Sequence, residues 1–383
     1  MSLRSNLIAK VPPVARRDQE LARRKERIDR LRGKVGRLER KVARQQKEID
    51  RLSSAAAVQV EEQLARPSYY RQLLTLRRTQ VDLRQLDPDL RHPLRHLPFK
   101  LRNYRLGASH GIAVPTVLRV WSEAEEIDLA GLPAAFVLKS DGGAGSHGVL
   151  PLRRTAGGRL ETVDGHRTLT EAEVRDHFVT RAQAGRISGP FFAEELLEQP
   201  GGGPIPDDIK IYACYGDVQQ VLLRRVGRHG DLRSLRRRYL RADGSDLGDV
   251  LVGATTDSTV PVPQNLAEMA QIARHLSRAV GLPFVRVDLF DTADGVVLGE
   301  ITRSPGGAQR LRPDQDEAMG LAWERASFRL DLDLMDGRPP GILHGSHPAP
   351  DLYPAGHVSR SADPGPWRPH VVPCEHWCGQ QQE

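Results

Sequence analysis

The 383-residue chain is 39% hydrophobic and 5% aromatic, with 35 glycines and 27 prolines, so it can bury a core and must also carry many loops. Its formal net charge of +7 favours anionic partners such as nucleotides, acidic glycans or peptides, membrane surfaces or nucleic acid, without choosing among them. No apolar run approaches a membrane span, Met1–Lys10 is too short and polar for a secretory signal, and Cys214, Cys374 and Cys378 give no disulfide framework, which together predict a cytoplasmic protein in a reducing compartment.

From Val14 to Leu52, Leu21, Ile28, Leu31, Val35, Leu38, Val42, Ile49 and Leu52 recur at three-four spacing among charged residues. That pattern predicts a coiled-coil-like helical arm over residues 14–53. Arg24 and Gln45 interrupt its seam, and Gly33 and Gly36 each weaken the helix by about 1 kcal/mol. The arm reads as a solvated helix packed on its own domain or as the seam of a homodimer. Its arginine excess reads as a solvated face, so the expectation is against nucleic acid as a partner. Tyr69–Leu86 is a second amphipathic helix, Leu90–Phe99 a Pro- and His-rich connector, and Lys100–His110 a helix stopped by Gly111 with Pro115 beyond. Thr116–Trp121 reads as a short strand, closing a mainly helical region over residues 67–130.

Ala135–Leu138, Gly148–Leu152, Phe191–Glu194, Ile209–Tyr215 and Val218–Arg224 are strand candidates. The first ends at Lys139 and runs into Ser140-Asp141-Gly142-Gly143-Ala144-Gly145-Ser146-His147-Gly148, a glycine flap whose bare backbone lets N–H groups approach phosphate oxygens. It is neither a P-loop nor a dinucleotide fingerprint, because the Gly-Lys-Ser/Thr ending is absent and a strand follows. Phe192–Leu197, the Gly/Pro linker Gln199–Pro206 and Asp207–Tyr212 read as a hinge between lobes, a common place for a flat ligand. The amphipathic helix Leu266–Val280 feeds the strand Val285–Phe290, on which Arg286 and Asp288 share one face. After a turn at Asp291–Gly295, Glu300 on Val296–Ile301 can lie opposite Asp288. Two close carboxylates repel unless a cation sits between them, and hard oxygen ligands suit Mg²⁺. An adjacent arginine suits a phosphoryl group. Beyond Gly337 the chain lacks periodicity, and residues 337–383 read as an irregular, poorly packed tail.

Taken in order, these pieces resemble the ATP-grasp superfamily, and within it the TupA-like (teichuronopeptide biosynthesis) family, over roughly Lys100 to Gly320. The resemblance implies an α/β (α+β) fold of two lobes clamping a nucleotide, with the small lobe at 131–197 and the large lobe at 198–336. It implies ATP and Mg²⁺ as cofactors. Lys100 and Lys139 resemble the lysines that contact ATP phosphates, and Gly142, Gly143, Gly145, Ser146 and Gly148 the loop that closes over them. Glu194, Glu195 and Leu196 resemble the adenine hinge, and Asp208 the residue that holds the ribose hydroxyls. Lys210 resembles a basic group near the phosphates, and Arg286 the arginine on the transferred phosphoryl. Asp288 and Glu300 resemble the magnesium ligands. Thr302 stands where most ATP-grasp ligases place asparagine; its hydroxyl can still ligate Mg²⁺ or a bridging water.

The chemistry so implied is carboxylate–amine ligation through an acyl phosphate, in cell-envelope polysaccharide or secondary-metabolite assembly. A kinase or phosphotransferase and a non-catalytic nucleotide-binding scaffold are the alternatives. The run Arg224, Arg225, Arg228, Arg233 and Arg236–Arg238 reads either as a solvated loop or as a patch for an acidic small molecule, glycan or peptide. Cys374–Cys378 with His370 lacks standard zinc spacing, His147 reads as an exposed loop histidine, Ser304 lacks a paired base, and Cys214 reads as core.

Overall fold

The computed structural model describes residues 12–86, 92–143, 147–199, 205–227, 234–305, 309–360 and 375–378. The chain divides into two compact units, Met1–Arg66 and Pro67–Glu383. In the first, α1 (Pro12–Ala65) is one helix of 54 residues, longer than the 14–53 arm predicted. The alanine run at 55–57 has high helical propensity and carries the helix on, and Pro67 restricts the residue before it. Ion pairs one turn apart, such as Arg24–Glu20 at 2.7 Å and Arg30–Glu26 at 3.2 Å, add a few tenths of a kcal/mol each on its surface.

The second unit begins with α2 (Tyr69–Leu86), the single turn α3 (Pro93–His96) and α4 (Lys100–Ser109). Gly111, at φ +73°, lies just past the end of α4, in the left-handed region that favours glycine. A six-stranded antiparallel sheet follows: β1 (Val117–Trp121), β2 (Ala135–Gly143), β3 (Val149–Arg154), β4 (Leu160–Thr162), β5 (Thr168–Leu169) and, after α5 (Glu171–Gln183), β6 (Ile187–Glu195). Its order is β1-β6-β2-β3-β4-β5. Phe136, Leu138, Leu150, Leu152 and Phe191 form one face and pack with Val174 and Phe178 of α5.

The second sheet contains β7 (Asp208–Cys214), β8 (Asp217–Arg225), β9 (Arg236–Leu240), β10 (Val285–Thr292) and β11 (Gly295–Thr302), ordered β11-β10-β7-β8-β9 and antiparallel throughout. Alternation splits its residues by face. Ile209, Ile211, Val221, Leu223, Val285, Val287 and Leu289 pack against Met269, Ala273, Leu276 and Val280 of α6 (Leu266–Val280). On the other face, Tyr212, Leu222 and Tyr239 are covered by Tyr69 of α2 and Trp323 of α7 (Pro313–Met335), with Phe284, just before β10, packed among them. Phe284 stacks on Trp323 at 4.7 Å. Gly320 lets α7 approach this closely, because a Cβ there would overlap the Ser68 backbone. That face also carries Lys210, Arg286, Asp288 and Glu300.

Two expectations change. Residues 337–360 are irregular but not poorly packed: Leu343 and Tyr353 are buried. The Arg338 guanidinium donates to Arg278 O at 2.7 Å, Arg102 Nη2 donates to Ser359 Oγ at 2.7 Å, and Arg105 Nη1 donates to Ser359 O at 3.0 Å. Single side chains meeting carbonyls and hydroxyls leave no apolar period to read. Among the cysteines, Cys214 is free and buried, but Cys378 is disulfide-bonded, which removes the cysteine argument for a reducing compartment.

Candidate functional site

Antiparallel pairing in the second sheet sets Glu300 opposite Asp288, and Asp288 opposite Lys210, in one row across β11, β10 and β7. The next row holds Thr302, Arg286 and Tyr212. Directly paired residues project to the same face, so Asp288 and Glu300 are brought together as the sequence predicts. Arg286 grips Asp288 bidentately, Nε to Oδ1 at 2.6 Å and Nη2 to Oδ2 at 2.7 Å. Lys210 Nζ donates to Asp288 Oδ2 at 2.5 Å and lies 2.7 Å from Asp208 Oδ2, which Arg224 also approaches at 3.4 Å. The Arg286 guanidinium reaches Thr302 Oγ1 at 3.1 Å, and the Thr302 hydroxyl donates to Glu300 Oε1 at 2.8 Å. Burial raises the Asp288 carboxyl, but Arg286 and Lys210 together hold it below the usual carboxylate range. Burial works against the Arg286 charge as well, and Asp288 overcomes it and carries the guanidinium upward.

Among the described residues, no cluster of three or more His, Cys, Asp or Glu side chains could hold a metal ion. The row offers two carboxylates and one hydroxyl, hard oxygens that fit a small divalent cation sharing ligands with phosphates. Such an ion would replace Lys210 or Arg286 on an Asp288 oxygen.

In the first sheet, Lys139 forms an ion pair with Glu194. Tyr104 joins them: its hydroxyl donates to Glu194 Oε2 at 2.7 Å and accepts from Lys139 Nζ at 3.1 Å. Burial, then the Glu194 charge, pushes the Tyr104 phenol well above its ordinary value. The Glu194 side chain is therefore buried inside the lobe, which leaves the hinge reading to its backbone. Glu195 accepts from Thr116 N at 2.7 Å, and Leu196 is half-buried. Residues 200–204 of the linker lie outside the described residues.

At the flap, Ser140 N donates to Gly148 O at 2.9 Å and closes the base. A Cβ on Gly142 would overlap Ser188 Oγ, and one on Gly148 would overlap Ser140 Oγ. Gly143 sits at φ +136°, where L side chains are strained. Gly145 and Ser146 lie outside the described residues, and His147 is exposed.

α4 spans both sheets. Lys100 Nζ donates to Ser140 O at 3.0 Å beneath the flap, and Asn103 Nδ2 donates to Ile301 O at 3.3 Å on β11. Burial lowers the Lys100 ammonium, opposed first by the Glu300 carboxylate. Asp141 accepts from Leu101 N at 2.7 Å and from Tyr353 OH at 2.9 Å, and burial pushes it up to about 6.

Tyr104, Asn103, Asp141 and Tyr353 are the residues that sequence reasoning missed. For Tyr104 a signal existed, since it lies one turn after Lys100 on a predicted helix. The basic run is not a plain solvated loop. Arg236–Arg238 are in β9, Arg238 pairs with Asp246 at 2.8 Å, and Arg225 with Asp207 through Nε at 2.8 Å. Arg228 and Arg233 lie outside the described residues, as do Cys374 and His370. A cavity of about 120 Å³ lined by Gln199, Asp207, Ile209, Leu223 and Asp291 opens on the opposite face of β7 from the row.

The chain matches the TupA-like ATPgrasp family over residues 80–322. No curated protein matches it. Similar solved structures include D-alanine–D-alanine ligase from Bacillus anthracis complexed with ATP, at 12% identity and TM-score 0.38, covering 64% of this chain and 69% of that one. A RimK domain protein ATP-grasp from Sphaerobacter thermophilus matches at 16% identity and TM-score 0.34, covering 62% and 68%. D-alanyl-alanine synthetase A from Vibrio cholerae O1 biovar eltor matches at 10% identity and TM-score 0.38, covering 63% and 67%.

Proposed function

The chain belongs to the TupA-like ATP-grasp family, and from that premise we propose that it is an ATP-dependent carboxylate–amine ligase forming an amide through an acyl phosphate. The observation that carries this reading is the Asp288 carboxylate held by Arg286 and Lys210 in register with Glu300. A carboxylate shared by two cations can give one up to an anionic phosphate without becoming an unpaired buried charge.

In this reading residues 131–197 form the lobe that carries the flap and 198–336 the lobe that carries the carboxylate row. Lys100 and Lys139 bind phosphate oxygens, the glycines of the flap present backbone N–H groups and exclude water, and Asp208 holds the ribose hydroxyls. Lys210 neutralises charge near the phosphates. Arg286 orients the transferred phosphoryl and, after it, the oxyanion. Asp288, Glu300 and Thr302 would hold Mg²⁺, which would supply positive charge against the phosphates. The chain's contribution is positioning and charge, so the acyl phosphate is shielded until the amine attacks, the amide forms and phosphate leaves.

The substrate is proposed to be an acidic small molecule, glycan or peptide, because Arg224 and Arg237 stand in register beside Asp208 on the same face as the row. The proposed setting is cytoplasmic, in cell-envelope polysaccharide or secondary-metabolite biosynthesis; no described helix is long and apolar enough to cross a membrane.

The test is phosphate release from ATP against a panel of acidic glycans, amino acids and amines, with hydroxylamine added to trap the acyl phosphate. The expected result is turnover that requires both an acid and an amine, plus a hydroxamate in their presence. A phosphorylated product that needs no amine would replace the ligase with a kinase. Nucleotide binding without turnover would leave a scaffold.

A further inference from the structure

We propose that α1 joins two copies of this chain as a parallel, in-register, two-stranded coiled coil from Leu21 to Leu52. Leu21, Ile28, Val35, Val42 and Ile49 stand at seven-residue steps, and Leu31, Leu38 and Leu52 follow three residues after their own members of that series. They occupy the a and d positions of a heptad. The a series is β-branched except at Leu21, and its apolar d partners are all leucine, the combination that favours two parallel strands over three or four.

All eight side chains are between 49% and 62% exposed. A stripe of large apolar groups on an otherwise charged helix is what a partner helix covers, and packing of such a face supplies most of a long helix's stability in water. At the centre, Ile28, Leu31 and Val35, with Arg32, Gly36 and Glu39, line a shallow open groove of about 320 Å³. Gly33 and Gly36 fall outside the a and d positions, beside Arg37 and Arg40 of their own helix, and only Gly36 touches the edge of that groove.

The flanking charges argue for a second copy of this chain as the occupant. In parallel register each g residue faces the e residue five positions on. Glu20 of one copy then faces Lys25 of the other, and Lys34 faces Glu39, while Arg27 against Arg32 is the single like-charged pair. Arg24, at a d position, is drawn to the rim by Glu20 of its own helix at 2.7 Å. Gln45, also at d, meets its own copy in the register proposed, where two amides can hydrogen-bond. In an antiparallel pair centred between Val35 and Leu38, Arg27 would instead face Glu48, and Lys34 would face Lys41.

The experiment is sedimentation of the full chain across micromolar concentrations, and it is independent of any nucleotide chemistry. The expected mass is twice the 42.5 kDa of one chain, falling to a single chain for Leu31→Asp combined with Leu38→Asp. Arg40→Asp, on the outer side, should leave the mass unchanged. Arg27→Glu should tighten the dimer roughly five-fold and Lys34→Glu should loosen it by a similar factor. A monomer, trimer or tetramer for the unaltered chain overturns the proposal, as does a dimer indifferent to the paired aspartates. Charge reversals of opposite sign overturn the parallel arrangement.

Discussion

Lys139 and Lys210 are both buried lysines paired with a carboxylate on a neighbouring strand, yet their surroundings differ in kind. Lys139 and Glu194 are matched one to one and bolted by the Tyr104 hydroxyl. Lys210 is divided between Asp288 and Asp208, and Asp288 is divided between Lys210 and Arg286. A one-to-one pair is lost when either member leaves, because a bare buried charge remains. A shared network can trade partners. The first arrangement therefore suits fixing the proposed phosphate lysine in one place, and the second suits exchanging ions with a charged ligand.

The contrast breaks if substitution at the two places gives the same phenotype. The largest expected effect is on turnover: Asp288→Asn or Glu300→Gln should lower ATP-dependent phosphate release about 1,000-fold, ~4 kcal/mol of barrier, with the thermal transition retained. Next is stability. Lys139→Met should cost about 3–5 kcal/mol in urea unfolding by stranding Glu194, and Lys210→Met should cost clearly less, since Arg286 still holds Asp288.

Asp141 sharpens the comparison with pH. Its carboxyl is pushed up to about 6 in the folded chain, so the native state binds the proton more tightly than the unfolded state does. That contribution is fully present below the ordinary carboxylate value and is lost as pH rises through about 6. Asp141→Asn should flatten the stability profile between the two limits and recover ~3 kcal/mol at neutral pH, measured by denaturation at a series of pH values. The smallest effect is expected for Tyr104→Phe, which removes a hydrogen bond to a buried charge and should cost about 2 kcal/mol in the same unfolding experiment.

The carboxylate row was legible because alternation and a short turn fix which residues face each other, and Val285–Phe290 and Val296–Ile301 show both in plain sequence. The glycine flap was legible for a similar reason, since backbone that must approach closely or turn sharply is written as glycine. Tyr104 was hidden because its partner Glu194 lies 90 residues away, and its role follows only from where α4 crosses the first sheet. The inward ion pair of the Glu194 side chain with Lys139 was hidden in the same way, since the sequence reading concerned only the hinge backbone. The length of α1 was underestimated because its apolar stripe stops at Leu52, while local propensity carries the helix on to Ala65. Residues 337–360 were misread because polar anchors have no period.

Those anchors bear on where the catalytic unit can be trimmed. Gly337 looks like a natural end in sequence, yet cutting there would strip Tyr353 from Asp141 and Ser359 from Arg102 and Arg105. Two guanidiniums on α4 and the Asp141 carboxyl at the base of the glycine segment would be bared at one stroke. The C-terminal stretch through Arg360 thus belongs to the folding unit, and a shortened version that loses activity would report a dismantled support for α4 and β2 rather than a missing reactive group.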